Sequence, residues 1–399
     1  MAQADTNRVQ LRYSKETVWG EAPTTPAMQD IRVTSESLIH NKNTVLSEVI
    51  RSDRLRDSLV EVAVNAEGDI GIELSFGTTT TGNTELDDMW EGLFQSTFTV
   101  VSSTGLDVTV LATARTFTDA GADFPMDGVV VGMWVKFTGF TDPGNNGIFQ
   151  VEAVATTVIT VTTASADDNG GLADETSGAM AVGLEAKMIR VGTTPTSLLI
   201  EKEYSDVTEF VYFTGMRVGS LSLAVEAESI ATGTLTFQGK EGFSTGATLD
   251  ATPVASSSDI SLNATSDVGA LQEGGANLTT ALRTINLEIN NNLRPKPQIG
   301  DRSPIDIGLG FVDVTGTAEA YFEDNVLYSK FLAHTASSLA FKLTDPITGS
   351  AMVWTVPRIF FSAGNPTTSG GNDDVILPLE FSGIRDSTTS TSIQLDLLE

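Results

Sequence analysis

Two stretches decide how this chain reads: Glu85-Leu-Asp-Asp-Met-Trp-Glu-Gly-Leu-Phe94 and Glu323-Asp-Asn-Val-Leu-Tyr-Ser-Lys-Phe-Leu332. In the first, Leu86, Met89, Trp90, Leu93 and Phe94 fall at i, i+3, i+4, i+7 and i+8. That spacing predicts an amphipathic helix over 84–95, with Thr84 as N-cap and Asp87, Asp88 and Glu91 near its positive end. In the second, Leu327, Tyr328, Phe331 and Leu332 repeat the face and predict a helix over 323–334. Glu85, Met89, Trp90, Leu93 and Phe94 map onto Glu323, Leu327, Tyr328, Phe331 and Leu332 at a constant offset of 238. These apolar faces are the expected packing surfaces of the two helices.

The match extends outward from both helices in the same order, which is the signature of an internal duplication. Asp69-Ile-Gly-Ile-Glu-Leu-Ser-Phe76 precedes the first helix and Thr315-Gly-Thr-Ala-Glu-Ala-Tyr-Phe322 the second. Further upstream stand Ile50-Arg-Ser-Asp-Arg54 and Ile299-Gly-Asp-Arg302. Downstream, edge-like strands open on Ser197-Leu-Leu and Ser338-Leu-Ala. The copies close on Gly233-Thr-Leu-Thr-Phe-Gln-Gly239 and Leu377-Pro-Leu-Glu-Phe-Ser-Gly383. Only the first copy is interrupted. Residues 98–187 carry short β-runs, the hairpin turn Thr141-Asp-Pro-Gly-Asn-Asn-Gly147 and the Gly/Asp-rich run 166–178, and predict a small inserted β-domain. A domain can be inserted where its ends lie close together on an exposed loop. The expected organisation is 1–97 plus 188–245 as a first unit with an N-terminal arm, 98–187 as the insert, and 246–399 as a second unit.

Elsewhere the pattern is period-two alternation, as in Val60-Glu-Val-Ala-Val64 and Leu221-Ser-Leu-Ala-Val225, with no regular helical crossovers. The fold class is therefore mainly β and antiparallel. The terminal segments 1–26 and 386–399 are expected to pack poorly in the isolated chain.

Charge narrows the function. The chain has 52 acidic against 23 basic residues in 399, a net charge of −29. Such a surface repels phosphate backbones and argues against nucleic-acid binding through a basic patch. It suits either simple solubility or a wall past which another polyanion slides. Cysteine is absent, so disulfides, thiol nucleophiles and thiolate metal sites are excluded. The N-terminus carries no apolar secretory segment and no stretch has membrane-span length, so synthesis in a cytoplasm without membrane insertion is expected.

No constellation supports catalysis. His40 and His334 stand alone. Gly239-Lys240 is followed by Glu241 where a phosphate loop needs Ser or Thr, and the acidic run 167–175 lacks calcium-loop spacing. Neither an enzyme nor a cofactor is expected. A carbohydrate-active enzyme on β-sandwiches would need an aromatic-lined cleft, and four Trp and five Tyr make that a poor fit.

The ordered motifs resemble the tail tube proteins of phages with long non-contractile tails. The carriers are Ile50-Arg-Ser-Asp-Arg54, Val314-Thr-Gly-Thr-Ala-Glu-Ala-Tyr-Phe-Glu-Asp324 with its following helix and Ser338-Leu-Ala-Phe-Lys-Leu343, and the early Thr17-Val-Trp-Gly-Glu-Ala-Pro23. The resemblance implies a β-sandwich or half-barrel core with one flanking helix per unit, and inner sheets that join between subunits around a pore. It further implies self-assembly in the host cytoplasm into stacked rings of a virion tail. Two fused units suggest three chains per ring rather than six. The partners it implies are a tape measure protein, a tail terminator and a distal tail protein, with DNA passing the acidic lumen unbound. Arg51, Asp53, Arg54, Arg56 and Asp57, with Asp301 and Arg302 in the second copy, are expected to make contacts between rings or subunits. A different tandem β-sandwich virion or surface protein, an adhesin or decoration protein, is the alternative.

Overall fold

The computed structural model describes residues 3–77, 84–124, 127–163, 171–177, 182–265, 267–368, 370–371 and 373–399. Residues 166–170 and 178 of the Gly/Asp-rich run lie outside them. In chain order, the elements that matter begin with β1 (Val9–Lys15), β2 (Ile39–Leu46), β3 (Leu59–Glu73) and α1 (Asp87–Phe94). The intervening segment contributes β4 (Thr99–Leu106), β5 (Trp134–Thr138), β6 (Gly147–Ala155) and β7 (Val182–Arg190). Then come β8 (Leu198–Tyr204), β9 (Glu209–Glu226), β10 (Thr232–Gly239) and β11 (Glu241–Thr245). The later half supplies β12 (Val268–Glu273), β13 (Leu282–Asn290), β14 (Asp313–Tyr321), α2 (Val326–Ala333), β15 (Ser337–Thr344), β16 (Ala351–Ala363), β17 (Ile376–Gly383) and β18 (Gln394–Leu398).

The ladders repeat. In the first unit β1 pairs β8, β8 pairs β9, β9 pairs β10 and β11, β10 pairs β3, and β3 pairs β2. In the second, β12 pairs β15, β15 pairs β16, β16 pairs β17 and β18, β17 pairs β14, and β14 pairs β13. Even the irregularities coincide. One bulge separates Val218 from Ser220 opposite Phe237 and Thr236, and another separates Phe361 from Ala363 opposite Phe381 and Glu380. Bulges are built-in bends of a strand, so their coincidence marks two copies of one design.

This register corrects the sequence alignment before the helices. Gly68 faces Phe237 and Gly316 faces Phe381, so Gly68 and Gly316 are equivalent, two residues from the pairing read off the motifs. A shift of two preserves which side chains point to the core, so the amphipathic pattern could not detect it. The strands opening near Ser197 and Ser338 are also not edges, because β8 and β15 are paired on both sides.

The helices are shorter than the periodicity predicts. α1 starts at Asp87, and Thr84 donates its hydroxyl to Asp87 Oδ1 instead of capping the first turn. α2 starts at Val326, whose amide is held by Asp324 Oδ1 at 2.9 Å. Both end on a left-handed residue, Gln95 at φ 51° and His334 at φ 48°.

One apolar cluster runs through both units, from Leu11 and Ile70 to Phe381 and Leu395. A second is built mainly from the inserted segment, where Phe117 and Phe137 stack at 4.2 Å. The insert is not merely carried. β18 lies between β7 and β16, Trp134 Nε1 donates to Thr355 Oγ1 at 2.9 Å, and Ala340, Ala351 and Val353 join the second cluster. Both termini therefore pack, against expectation: all of β18 is buried, and Leu11–Ser14 of β1 are buried between β8 and the short strand Gln29–Ile31.

Candidate functional site: a polar sheet face and its edges

The two units meet within a sheet. β9 pairs β13 from Ser220↔Asn290 to Glu226↔Thr284, so β2, β3, β10, β9, β13, β14, β17 and β16 form one antiparallel surface. Alternation divides it cleanly. Ile70, Leu235, Leu221, Leu223, Leu287, Ala318 and Leu379 turn to the core and are buried.

The opposite face carries Thr232, Thr234 and Thr236 on β10, Ser220 and Ser222 on β9, Asn286 and Asn290 on β13, and Thr315 and Thr317 on β14. Interspersed are Glu67, Asp69 and Glu73, then Glu226, Glu288, Asp313, Glu319 and Glu380. Two arginines also occupy positions of that face: Arg217 on β9, opposite Gln238, is buried and paired with Asp306 at 3.0 Å, and Arg358 on β16 lies over the ring of Phe360, which stands opposite Ser382. Arg283 reaches Glu319 at 3.8 Å from a neighbouring position. Ser261 donates to Glu73 at 2.6 Å and Asn292 to Asp313 at 2.8 Å, ordering single carboxylates without neutralising them. The arrangement is a wide, hydroxyl- and amide-rich wall on which eight carboxylates outnumber two arginines. With Arg217 buried against Asp306, Arg358 is the one arginine of the face that is partly open to solvent, and the excess of carboxylates spread along the strands repels a polyanion over roughly a Debye length, about 8 Å at physiological salt. The sequence reading did not single these residues out. Their signal was the alternating acidic and hydroxyl positions of 284–290 and 313–319, which only the ladder joins to 67–73 and 380.

The charged residues singled out by sequence lie beside this wall, in two loops. Between β2 and β3, Arg51 ion-pairs with Asp53 at 3.0 Å and Asp57 at 2.6 Å. Arg54 adopts φ 64°, and Arg56 reaches Ser47 O at 3.4 Å. Hydrogen bonding from Arg51 pulls the Asp53 carboxyl below its usual range. Around them Val49, Ile50 and Leu55 are exposed, Ile50 at 97%. In the second unit Asp301 accepts from the Ser303 amide and hydroxyl, both at 3.1 Å. Arg302 does not join the Arg51 cluster: it pairs with Glu61 at 3.3 Å, and its carbonyl accepts the Val64 amide at 3.0 Å.

The helix residues divide unequally. Leu86, Met89, Trp90, Leu93 and Phe94 are all buried, and Trp90 meets Trp354 of the second unit edge-on at 5.6 Å, with Phe94 stacked on that indole at 6.2 Å. In α2 only Leu327 is buried. Tyr328 and Phe331 are half-buried, and Leu332, expected on the packed face, is 64% exposed. Trp354 belongs to the other unit, so α1 is covered by a neighbour that α2 lacks within the chain.

Each histidine has a structural partner. His40 Nδ1 accepts the Gly242 amide at 2.9 Å, and His334 stacks on Phe360 at 4.7 Å. Sequence reasoning missed the buried ionic knot at β1 and β8. There Arg12 pairs with Glu201 at 2.6 Å, Asp30 at 2.7 Å and Glu203 at 2.7 Å, while Tyr212 and Thr248 donate to Glu201. Nothing local in the sequence links residue 12 to residue 201.

Two tandem antiparallel units, joined edge to edge within one sheet and presenting a broad polar wall, define a mainly β structural protein. The chain belongs to the phage tail tube protein family, whose model matches residues 6–383, nearly its whole length. It is accordingly a virion component and not an enzyme. No curated protein matches it, and no helix among the described residues is long and apolar enough to cross a membrane.

Proposed function

We propose that three chains close into a ring of six quasi-equivalent units and that rings stack into the tail tube. The observation that carries this reading is the β9–β13 junction, where one unit is joined to the next as neighbours in a continuous sheet. Repeating that relationship from chain to chain pairs the outer edges of this polar sheet, and a closed barrel is the stable way to do so. Head-to-tail contacts of this kind close into rings when the rotation allows, and stacking then proceeds along the axis.

In this assembly the Thr-, Asn- and carboxylate-rich face lines the lumen. DNA passing it releases no counterions and finds no sequence-independent affinity, so translocation meets no binding traps. The three segments act as 1–97 plus 188–245, 98–187, and 246–399, with the insert outside the barrel. The loops of Arg51, Asp53, Arg54, Arg56 and Asp57, and of Asp301 and Arg302, face the adjacent ring, where the exposed Val49, Ile50 and Leu55 become buried. Tape measure, tail terminator and distal tail proteins meet the tube along its lumen and at its two ends.

Electron microscopy of the purified chain with rotational averaging tests the reading. Rings or tubes of uniform width with threefold symmetry and a sixfold-like inner wall are expected. Monomers at high concentration under every condition, or rings of six whole chains, would overturn it.

A further inference from the structure

We infer that the seam between chains copies the internal junction residue for residue, and that Pro366 weakens it by one hydrogen bond. The inference rests on the ring reading above and adds the strands, the register and a control element.

The equivalence follows from the ladders. Gly239 corresponds to Gly383, and through the matched bulge Ser220 corresponds to Ala363. Beyond β16 the chain keeps this register: Thr367 pairs with Ile376 as Ala224 pairs with Thr232. On the other side of the junction, Thr284 and Ile285 face Glu319 and Ala318 as Ser35 and Glu36 face Gly71 and Ile70. Asn290 faces Asp313 as Asn41 faces Asn65. Segment 35–41 is thus the first unit's version of β13, and 363–368 is the second unit's version of the β9 segment that β13 pairs with. Neither segment has a strand on its outer side among the described residues. A second copy of the chain fits both edges, with Ala363↔Asn41, Asn365↔Ile39 and Thr367↔Ser37 across the seam.

The donor pattern places Pro366. At the internal junction the Asn291 amide donates to Gly219 O at 2.8 Å and the Ala227 amide to Arg283 O at 3.0 Å. Hydrogen-bonded positions alternate, so Leu221, Leu223 and Val225 point their backbone groups at β13. Leu223 corresponds to Pro366. Thr367 exchanges both its backbone bonds with Ile376, at 2.8 and 3.3 Å, so its neighbours point outward. The proline ring therefore stands where a seam donor is needed. A proline on an outward edge is a standard defence against uncontrolled pairing. Here it leaves the rest of the ladder intact while removing the donor that would face Leu38 O.

The helices agree with this seam. α1 is covered by Trp354 across the internal junction, and the residue equivalent to Trp354 in the first unit is Val211, by the same offset that relates Ser220 to Ala363. Exposed Leu332 of α2 meets Val211 of the next chain.

Engineered cysteines give a clean test, because the chain has none of its own. Assembled Asn41→Cys/Ala363→Cys protein is oxidised and run on a non-reducing gel, beside Ser220→Cys/Asn290→Cys as the internal counterpart and Asn41→Cys/Asn365→Cys as an off-register pair. Covalent trimers from the first pair, an intrachain bridge from the second and little product from the third are expected. Rings that form normally yet cross-link preferentially through 41–365, or not through 41–363 while 220–290 bridges, would overturn the register and leave the ring reading standing. Absence of rings from the unsubstituted chain would instead remove the ring reading itself. Pro366→Leu restores the donor and is expected to lower the concentration needed for assembly by about fivefold, the equivalent of one net hydrogen bond. An unchanged or higher threshold would overturn the role of Pro366.

Discussion

Gly316 on β14 stands directly opposite Phe381 on β17, and a Cβ at 316 would overlap the aromatic ring. The equivalent pair in the first unit is Gly68 and Phe237, where Gly68 takes φ 149° and a Cβ would run into the backbone at Ser37 and Leu38. Glycine is required in both cases because another chain segment occupies the space of a side chain.

Gly316→Val therefore forces Phe381 out of the core and is expected to destabilise by about 1–3 kcal/mol, the usual range for overpacking. Urea denaturation followed by tryptophan fluorescence measures it. A Gly316→Val/Phe381→Leu double variant should recover part of the loss, because the leucine vacates the ring volume.

Asp396 on β18 is fully buried, accepts from Gln394 Nε2 at 2.6 Å and the Trp134 amide at 3.1 Å, and burial pushes its pKa up to about 7 despite nearby Arg190. Since the folded pKa lies above the unfolded one, the folded state holds the extra proton between them. The contribution of this group to stability is then greatest below about pH 4, declines as pH rises toward 7 and levels off above, by at most about 4 kcal/mol. Asp396→Asn should flatten this slope and raise the melting temperature at pH 8 more than at pH 5, as read by calorimetry across pH.

Trp354→Ala removes the indole on which Trp90 and Phe94 rest. A loss of about 3–5 kcal/mol is expected, typical of emptying a large aromatic site. Because Trp354 joins α1 of one unit to β16 of the other, amide exchange should accelerate in α1 as well as in β16.

Glu288→Lys and Glu380→Lys place cations on the polar wall, where neither carboxylate makes an ion pair among the described residues. Stability should change by no more than about 0.5 kcal/mol, as for exposed positions. Assembled tubes of the double variant should retain short duplex DNA at low salt and release it as salt rises, whereas unsubstituted tubes retain none. Equal retention by both would argue against this face as the lumen.

Periodicity was enough to reveal both helices, most core strands and the duplication, because burial of one face leaves a period that composition cannot hide. What it does not report is which distant segment covers a strand. β1 alternates over Val9-Gln-Leu-Arg-Tyr-Ser-Lys15, but its burial depends on β8 and on partners of Arg12 at 30, 201 and 203. β18 alternates too, with Leu395 and Leu397 against Gln394 and Asp396, but its burial on both faces comes from its place between β7 and β16. Leu332 was read as packed because helical spacing reports an apolar face, and not whether anything in the same chain covers it.

From the residues alone came the β class, the doubled unit, the interruption of its first copy and a strongly acidic surface, since these depend on local pattern and composition. The tertiary structure decided which strands become neighbours. A two-residue slip keeps every side chain on its proper face, so only the ladders could align Gly68 with Gly316, gather the carboxylates of five strands onto one wall and leave 35–41 and 363–368 without an outer strand among the described residues.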